Sequence, residues 1–291
     1  TPDPGPTQSD RGDETLSIMY DPVSRKYIGF CRNVYPEPWL THRTERSTQR
    51  MQSNDLIHWS ISAPIIDKDP LDPFDTDFYG LQGMYYESMY LGFLNIHRAG
   101  PDHMEVWLSH SRDSFHWERI RTGPFLPRGS DGSWEWGMAQ MFQAPMRVGD
   151  ELWLYYTGVA GLHDGGDSAA GLGLAKLRLD GFVSIDAIDN SHRRAGRNYP
   201  PTLMTKPLKS PGNRLVVNAV ASGGYLDAEL LNTDGHVIEG YSRADCDTFN
   251  GDNLAHTFTW KGNADIGGCI PVRVRFYMDN AKLFALQIPE G

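Results

Sequence analysis

Three acidic residues stand at comparable places ahead of three aromatic residues: Asp13 before Tyr27, Asp77 before Tyr90 and Glu135 before Trp153, at separations of 14, 13 and 18 residues. Carboxylates brought close together suit general acid and base work, because each pushes the other's pKa away and one then keeps its proton near neutral pH. Glu135 has the most specific setting, Trp134-Glu135-Trp136, where flanking indoles desolvate a carboxyl and offer flat apolar faces on which sugar rings stack. Asp13, with Asp10 and Glu14 beside it, fits a strand-opening turn as well as a chemical role, and Asp77 shares its loop with Asp72 and Asp75.

Other groups suited to binding follow apolar runs. His163 lies in the glycine-rich stretch 158–167, which lets backbone approach a ligand, and its imidazole suits a sugar hydroxyl or a proton shuttle. His97 and Arg98 follow the run Leu91 to Ile96, and Arg98 is suited to a substrate carboxylate. A surface-loop placement accounts for all three as well. Asp164 and Asp167 leave a structural calcium open but lack the regular oxygen spacing of a calcium loop, so no metal and no cofactor is assigned.

The elements that must position these residues are strands. Helical periodicity is absent, while short β-branched and aromatic runs separated by Gly, Pro, Asn and Asp recur from Leu16 onward, the pattern of an all-β chain. Strand pairs read from Ser17 to Phe30, Leu81 to Phe93 and Met141 to Tyr156, and Tyr27, Tyr90 and Trp153 recur at intervals of 63 residues. A period of that size is one supersecondary unit. Behind the first two pairs comes Ser-x-Asp-x-x-x-Trp, at Ser53 to Trp59 and Ser111 to Trp117, with a weaker echo at Arg178 to Phe182. Recurrence argues that Asp55, Asp113, Trp59 and Trp117 are architectural, since a catalytic residue need not recur.

After about Asp186 the repeat stops, and the polar stretch 189–201 reads as a joint, which divides the chain into 1–198 and 199–291. The second part carries evenly spaced strands from Leu203 to Ile288, and Val272 to Phe276 alternates apolar residues with arginines, so an antiparallel β-sandwich is expected. The net charge of −10 argues against a nucleic-acid partner, and the basic run His42 to Arg50 reads as a solvated loop. No apolar run approaches the roughly 18 residues of a membrane span. Cys31, Cys246 and Cys269 form no disulfide framework; at most Cys246 pairs with Cys269.

The strand pairs, the Ser-x-Asp-x-x-x-Trp segments and the trailing strands resemble five-bladed β-propeller glycoside hydrolases of the invertase and arabinanase group. Gly149 to Tyr156, Gly173 to Ser184 and Thr205 to Leu208 are more similar still to uncharacterised bacterial family 32-like glycosyl hydrolases. The resemblance implies a propeller in which Asp13, Asp77 and Glu135 converge on one axis, with Glu135 as acid and Asp13 or Asp77 as base or nucleophile acting on a poly- or oligosaccharide. Trp134, Trp136, Tyr79, His97, Arg98 and His163 are the expected sugar-binding residues. The three cysteines leave the compartment open, and a periplasmic or secreted location is favoured over a cytoplasmic one. Only three blades fit before the joint, whereas propellers close with four to eight, so the chain is expected to be the C-terminal part of a longer one, the missing blades being supplied by another segment or chain. The alternative is a non-catalytic carbohydrate-binding or assembly module, in which Trp134, Trp136, Trp39 and Tyr79 are stacking platforms.

Overall fold

The computed structural model describes residues 17–36, 44–166, 168–187, 200–209, 212–269 and 271–289. Asp13, Trp39, Asp167 and most of the stretch 189–201 lie outside them. Among the described residues the regular elements are strands, with one short 3-10 turn at Gly267–Cys269. No helix among the described residues is long and apolar enough to cross a membrane. The chain forms two compact units, Thr1–Val148 with Leu152–Lys176, and Gly149–Glu151 with Leu177–Gly291.

The first unit opens with a four-stranded antiparallel meander: β1 (Ser17–Asp21), β2 (Lys26–Pro36), β3 (Thr44–Ser53) and β4 (Trp59–Ile66). A second meander repeats it as β5 (Thr76–Tyr86), β6 (Met89–Arg98), β7 (His103–Ser111) and β8 (Trp117–Arg119). The next strands are β9 (Met138–Gln140), β10 (Met146–Val148), β11 (Glu151–Ala160) and β12 (Ala169–Arg178), with β11 pairing β9, β10 and β12. One parallel pair, Met104 with Met138, joins this group to β7.

Both Ser-x-Asp segments build the same turn. Ser53 Oγ accepts the amides of Asp55 and Leu56 at 3.1 and 2.9 Å, and Ser111 Oγ those of Asp113 and Ser114 at 3.2 and 2.9 Å. Asp55 and Asp113 then take the next two amides and the following His58 and His116 side chains. Leu56 and Ser114 both sit at φ 65°, a left-handed conformation that these repeated bonds hold in place. Trp117 goes on to meet Phe30 of β2 edge-on at 5.6 Å, so the marker tryptophan ties the second meander to the first.

The third repeat departs from the other two. Between β9 and β10 the strand is interrupted at Phe142 to Pro145, and Pro145 has no amide to donate to a ladder. Asn95 compensates at the break: its Nδ2 donates to Met141 O at 2.8 Å and its Oδ1 accepts from Met141 N at 3.0 Å. The segment following Asp180-Gly181, β13 (Ile185–Ala187), adds no fourth strand to this sheet and pairs instead with the last strand of the second unit.

The run Thr44 to Arg50 is strand, not a solvated loop. Alternation in β3 turns Arg46, Thr48 and Arg50 to one side; Thr48 and Arg50 are buried there, Arg50 donating to Ser114 Oγ at 3.1 Å and lying over the Phe115 ring at 4.0 Å.

The second unit holds β13 with β14 (Thr202–Met204), β15 (Val216–Val220), β16 (Tyr225–Leu231), β17 (Asp252–Thr257), β18 (Arg273–Asp279) and β19 (Ala281–Gln287). They form two antiparallel sheets, ordered β13-β19-β15-β17 and β14-β18-β16, which share one buried cluster including Val217, Leu226, Phe258, Trp260 and Phe276. As the alternation predicts, Val274 and Phe276 are buried while Arg275 turns outward to Glu229 at 2.7 Å. Strand β17 runs Asp252–Thr257; just beyond it Phe258, whose amide donates to Leu215 O at 2.9 Å, and Trp260 are buried in the core. Cys31, Cys246 and Cys269 are free thiols.

His256 stacks on Phe249 at 4.2 Å and meets Phe258 edge-on at 5.1 Å. Burial holds its pKa below the ordinary histidine value. The unfolded chain therefore takes up this proton first, so the stabilisation is complete above the unfolded value of about 6.5 and is lost as pH falls through the lower folded one. Urea denaturation at pH 8 and pH 5.5 should show a smaller acid loss in His256→Gln than in the wild type. Equal losses in both would show that His256 contributes nothing to the acid sensitivity.

Candidate functional site

The hairpin β5–β6 positions the first group of polar residues. From its turn the register runs Tyr85 opposite Tyr90 down to Gly80 opposite Asn95, then shifts to Phe78 opposite Ile96 and Asp77 opposite His97. Tyr79 is the extra residue of a β-bulge, followed by Gly80 at φ 134°. Phe78 and Ile96 thereby face the core cluster containing Leu81 and Leu94, while Tyr79 faces Met104, Met138 and Val159 on the opposite side. Asp77 and His97 share that second side.

Asp77 is 2% exposed, and its Oδ2 accepts from Arg46 NH1 at 3.0 Å; the Arg46 amide approaches Oδ1 at 3.4 Å. A buried carboxylate needs such a partner, since an uncompensated charge there costs several kcal/mol. The Arg46 and Arg32 guanidiniums lie over the Tyr79 ring at 4.7 and 4.3 Å. Two edges of the same ring meet imidazoles, His97 at 5.0 Å and His163 at 4.9 Å between centroids. The two imidazoles are 4.7 Å apart.

Asp102 ties the group together from the turn between β6 and β7. Its Oδ1 is 2.9 Å from His97 Nε2, its Oδ2 accepts the Asp164 amide at 2.8 Å, and its carbonyl accepts the His163 amide at 3.2 Å. Burial alone would raise Asp102, but the Asp164 amide, His97 and His163 outweigh it and hold the carboxyl below its usual range. Burial in turn lowers His97, with His163 acting in the same direction and Asp102 opposing.

Glu135 belongs to a second group, on the segment entering β9. Its Oε2 is buried and has no hydrogen-bond partner among the described residues. The Tyr156 hydroxyl donates to Glu135, and burial together with this carboxylate pushes the Tyr156 phenol up to about 12. Trp134 is 45% exposed and lies 6.0 Å from the Tyr156 ring at an interplanar angle of 33°. Glycine is required beneath it: a Cβ on Gly158 would sit 2.4 Å from the Trp134 ring and 2.7 Å from Glu135 Cβ. Trp136 turns elsewhere, meeting His103 edge-on at 5.9 Å while its carbonyl accepts from Arg128 at 2.6 Å.

The residues singled out from sequence therefore fall into four places, two of them Trp136 and Arg98 alone. Asp77, Tyr79, His97 and His163 come together; Glu135 and Trp134 form a pair of their own; no hydrogen bond or ring contact among the described residues links Glu135 or Trp134 to Asp77. Arg98 faces away from His97 and pairs with Asp75 at 2.7 Å, on a groove of about 350 Å³ lined also by Asp72, Trp107, Arg119 and Arg121. Sequence reasoning passed over Arg32, Arg46 and Asp102. For Arg46 the signal was there, in the two-residue alternation with Thr48 and Arg50 along a strand.

No protein-family model and no curated protein matches the chain. Among solved structures it is similar to one described as a glycoside hydrolase, at 11% identity over 57% of this chain and 48% of that one, TM-score 0.44. An N-acetylgalactosamine deacetylase from F. plautii in complex with blood group B trisaccharide is 18% identical over 57% of this chain and 50% of that one, TM-score 0.42. Zg3597, a family 117 glycoside hydrolase from the marine bacterium Zobellia galactanivorans, is 16% identical over 92% of this chain and 86% of that one, TM-score 0.43. The chain spans about half the length of the first two. Likenesses this partial assign no family.

Proposed function

We propose that this chain is a carbohydrate-active hydrolase that cleaves a glycosidic bond of a poly- or oligosaccharide, on a scaffold whose repeated meanders are propeller blades. One observation carries the reading: a half-exposed indole, Trp134, packs its benzo ring against Gly158 and Gly171 directly beside a carboxyl, Glu135, whose second oxygen is buried without a hydrogen-bond partner among the described residues. Sugar rings stack on such a face, which sets their linkage oxygens beside the acid. Glu135 is the proton donor to the leaving oxygen. Asp77, or Asp13 outside the described residues, is the base or nucleophile, and the reading requires its carboxyl to come within about 5–10 Å of Glu135 in the substrate complex. A polysaccharide substrate places this work in the periplasm or outside the cell.

A panel of nitrophenyl glycosides and oligosaccharides tests the assignment. Glu135→Gln should lower turnover of any cleaved substrate by about 10²–10⁴-fold, with the circular dichroism spectrum unchanged. Undiminished turnover would remove Glu135 from the chemistry. A second reading, a non-catalytic carbohydrate-binding module, is favoured by the Asp77–Arg46 ion pair, which already engages the second carboxylate. Sugar binding that depends on Trp134, without turnover of any substrate, would select it.

A further inference from the structure

We propose that His97, Asp102 and His163 bind a divalent transition-metal cation of the zinc class, through one ring nitrogen of each histidine and one carboxylate oxygen. Candidate ligand atoms from the three residues all lie within 4.8 Å of one another. Ligands about 2.0–2.2 Å from a tetrahedral ion are about 3.4 Å apart. The distances from Asp102 Oδ1 bracket that spacing, at 2.9 Å to His97 Nε2 and 4.0 Å to His163 Nδ1.

The three residues come from separate elements, the end of β6, the turn after it and the loop after β11, and they are cross-tied before any ion arrives. The bonds from the His163 and Asp164 amides to Asp102 fix the third ligand's loop against the second ligand's turn. Asp102 sits at φ 57°, a left-handed conformation that Asp tolerates better than most residues and that aims its carboxylate between the imidazoles. Behind His97, the far nitrogen Nδ1 is buried, lacks a hydrogen-bond partner among the described residues and stands 4.0 Å from Asp77 Oδ2. Ligating histidines commonly hand their other N–H to a carboxylate, which fixes the ring and strengthens it as a ligand. A cation drawing Nε2 away from Asp102 gives the buried Nδ1–H that use.

Donor chemistry narrows the ion. Two imidazoles and one carboxylate suit Zn²⁺, Co²⁺ or Ni²⁺ and are poor for Ca²⁺ and Mg²⁺, which prefer all-oxygen sets. Three protein ligands leave a fourth position for water or a substrate oxygen. Side-chain exposure falls from 27% at His163 through 17% at Asp102 to 5% at His97, so the ion enters past His163. The inference stands apart from the glycosidase reading and is tested without any activity measurement.

Protein stripped with EDTA and desalted is titrated at pH 7.5 with Zn²⁺ by calorimetry and with Co²⁺ by visible absorption. The expected result is one equivalent per chain with micromolar or tighter affinity, weakened by at least about tenfold in both His163→Ala and Asp102→Asn. His163 lies on a partly exposed loop, so its variant keeps the wild-type circular dichroism spectrum even if Asp102→Asn does not. Arg98→Ala, on the far side of β6, should bind as the wild type does. Absence of saturable binding by the wild type, or wild-type affinity in a folded His163→Ala protein, overturns the proposal.

Discussion

Phe30→Ala should destabilise the N-terminal unit by about 3–5 kcal/mol, a large share of the roughly 5–15 kcal/mol that holds a typical domain folded. Phe30 has no exposed surface and belongs to a cluster in which Ile28 comes from β2, Phe78 and Leu81 from β5, and Leu94 and Ile96 from β6. Its ring also meets Trp117 of β8 edge-on and fills the space where a Cβ on Gly83 would sit, 2.2 Å away. The two meanders are separate hydrogen-bonded sheets, so side chains such as this one hold them together. Removing the ring leaves a cavity that strands on both sides are too constrained to close. Urea denaturation followed by tryptophan fluorescence measures the loss. A cost below about 1 kcal/mol would mean that the two sheets are joined by something other than this cluster.

Arg46→Met should cost about 3–5 kcal/mol as well, by a different route. Methionine keeps most of the apolar stem but removes the guanidinium from a carboxylate that is 2% exposed, leaving Asp77 with the Arg46 amide at 3.4 Å and His97 Nδ1 at 4.0 Å. The penalty belongs to the orphaned charge rather than to the pair. Adding Asp77→Asn to Arg46→Met should therefore recover more than half of it, which a double-mutant cycle in urea at pH 7.5 reads directly. If the double variant is less stable than Arg46→Met alone, the ion pair is not what maintains Asp77 in its buried place.

What could be read in the sequence was local. Ser53-x-Asp55 and Ser111-x-Asp113 announce their turns because every bond they make falls within three residues. Val274 and Phe276 announce a buried face because a strand's period is two. The site is different in kind. Arg46 reaches Asp77 from another sheet, and Asp102 reaches Asp164 across 62 positions of chain. Nothing in the spacing of those residues records such a meeting. Even the fate of the third repeat was decided at long range: β13 finds its partner in β19, where Lys282 approaches Asp186 at 3.4 Å.

The single surplus residue at Tyr79 works like a change of reading frame within one hairpin. On the turn side of it, Leu81 and Leu94 pair and face the buried cluster. On the far side the frame is offset by one, and it is this offset that sets Asp77 against His97. Pulled straight with every residue kept, the hairpin would set Asp77 opposite Arg98, whereas excising Tyr79 would leave Asp77 opposite His97; in neither case does the Tyr85–Tyr90 end change partners. The hairpin is thus divisible: one surplus residue decides which partner Asp77 meets, while the pairs nearer the turn keep theirs.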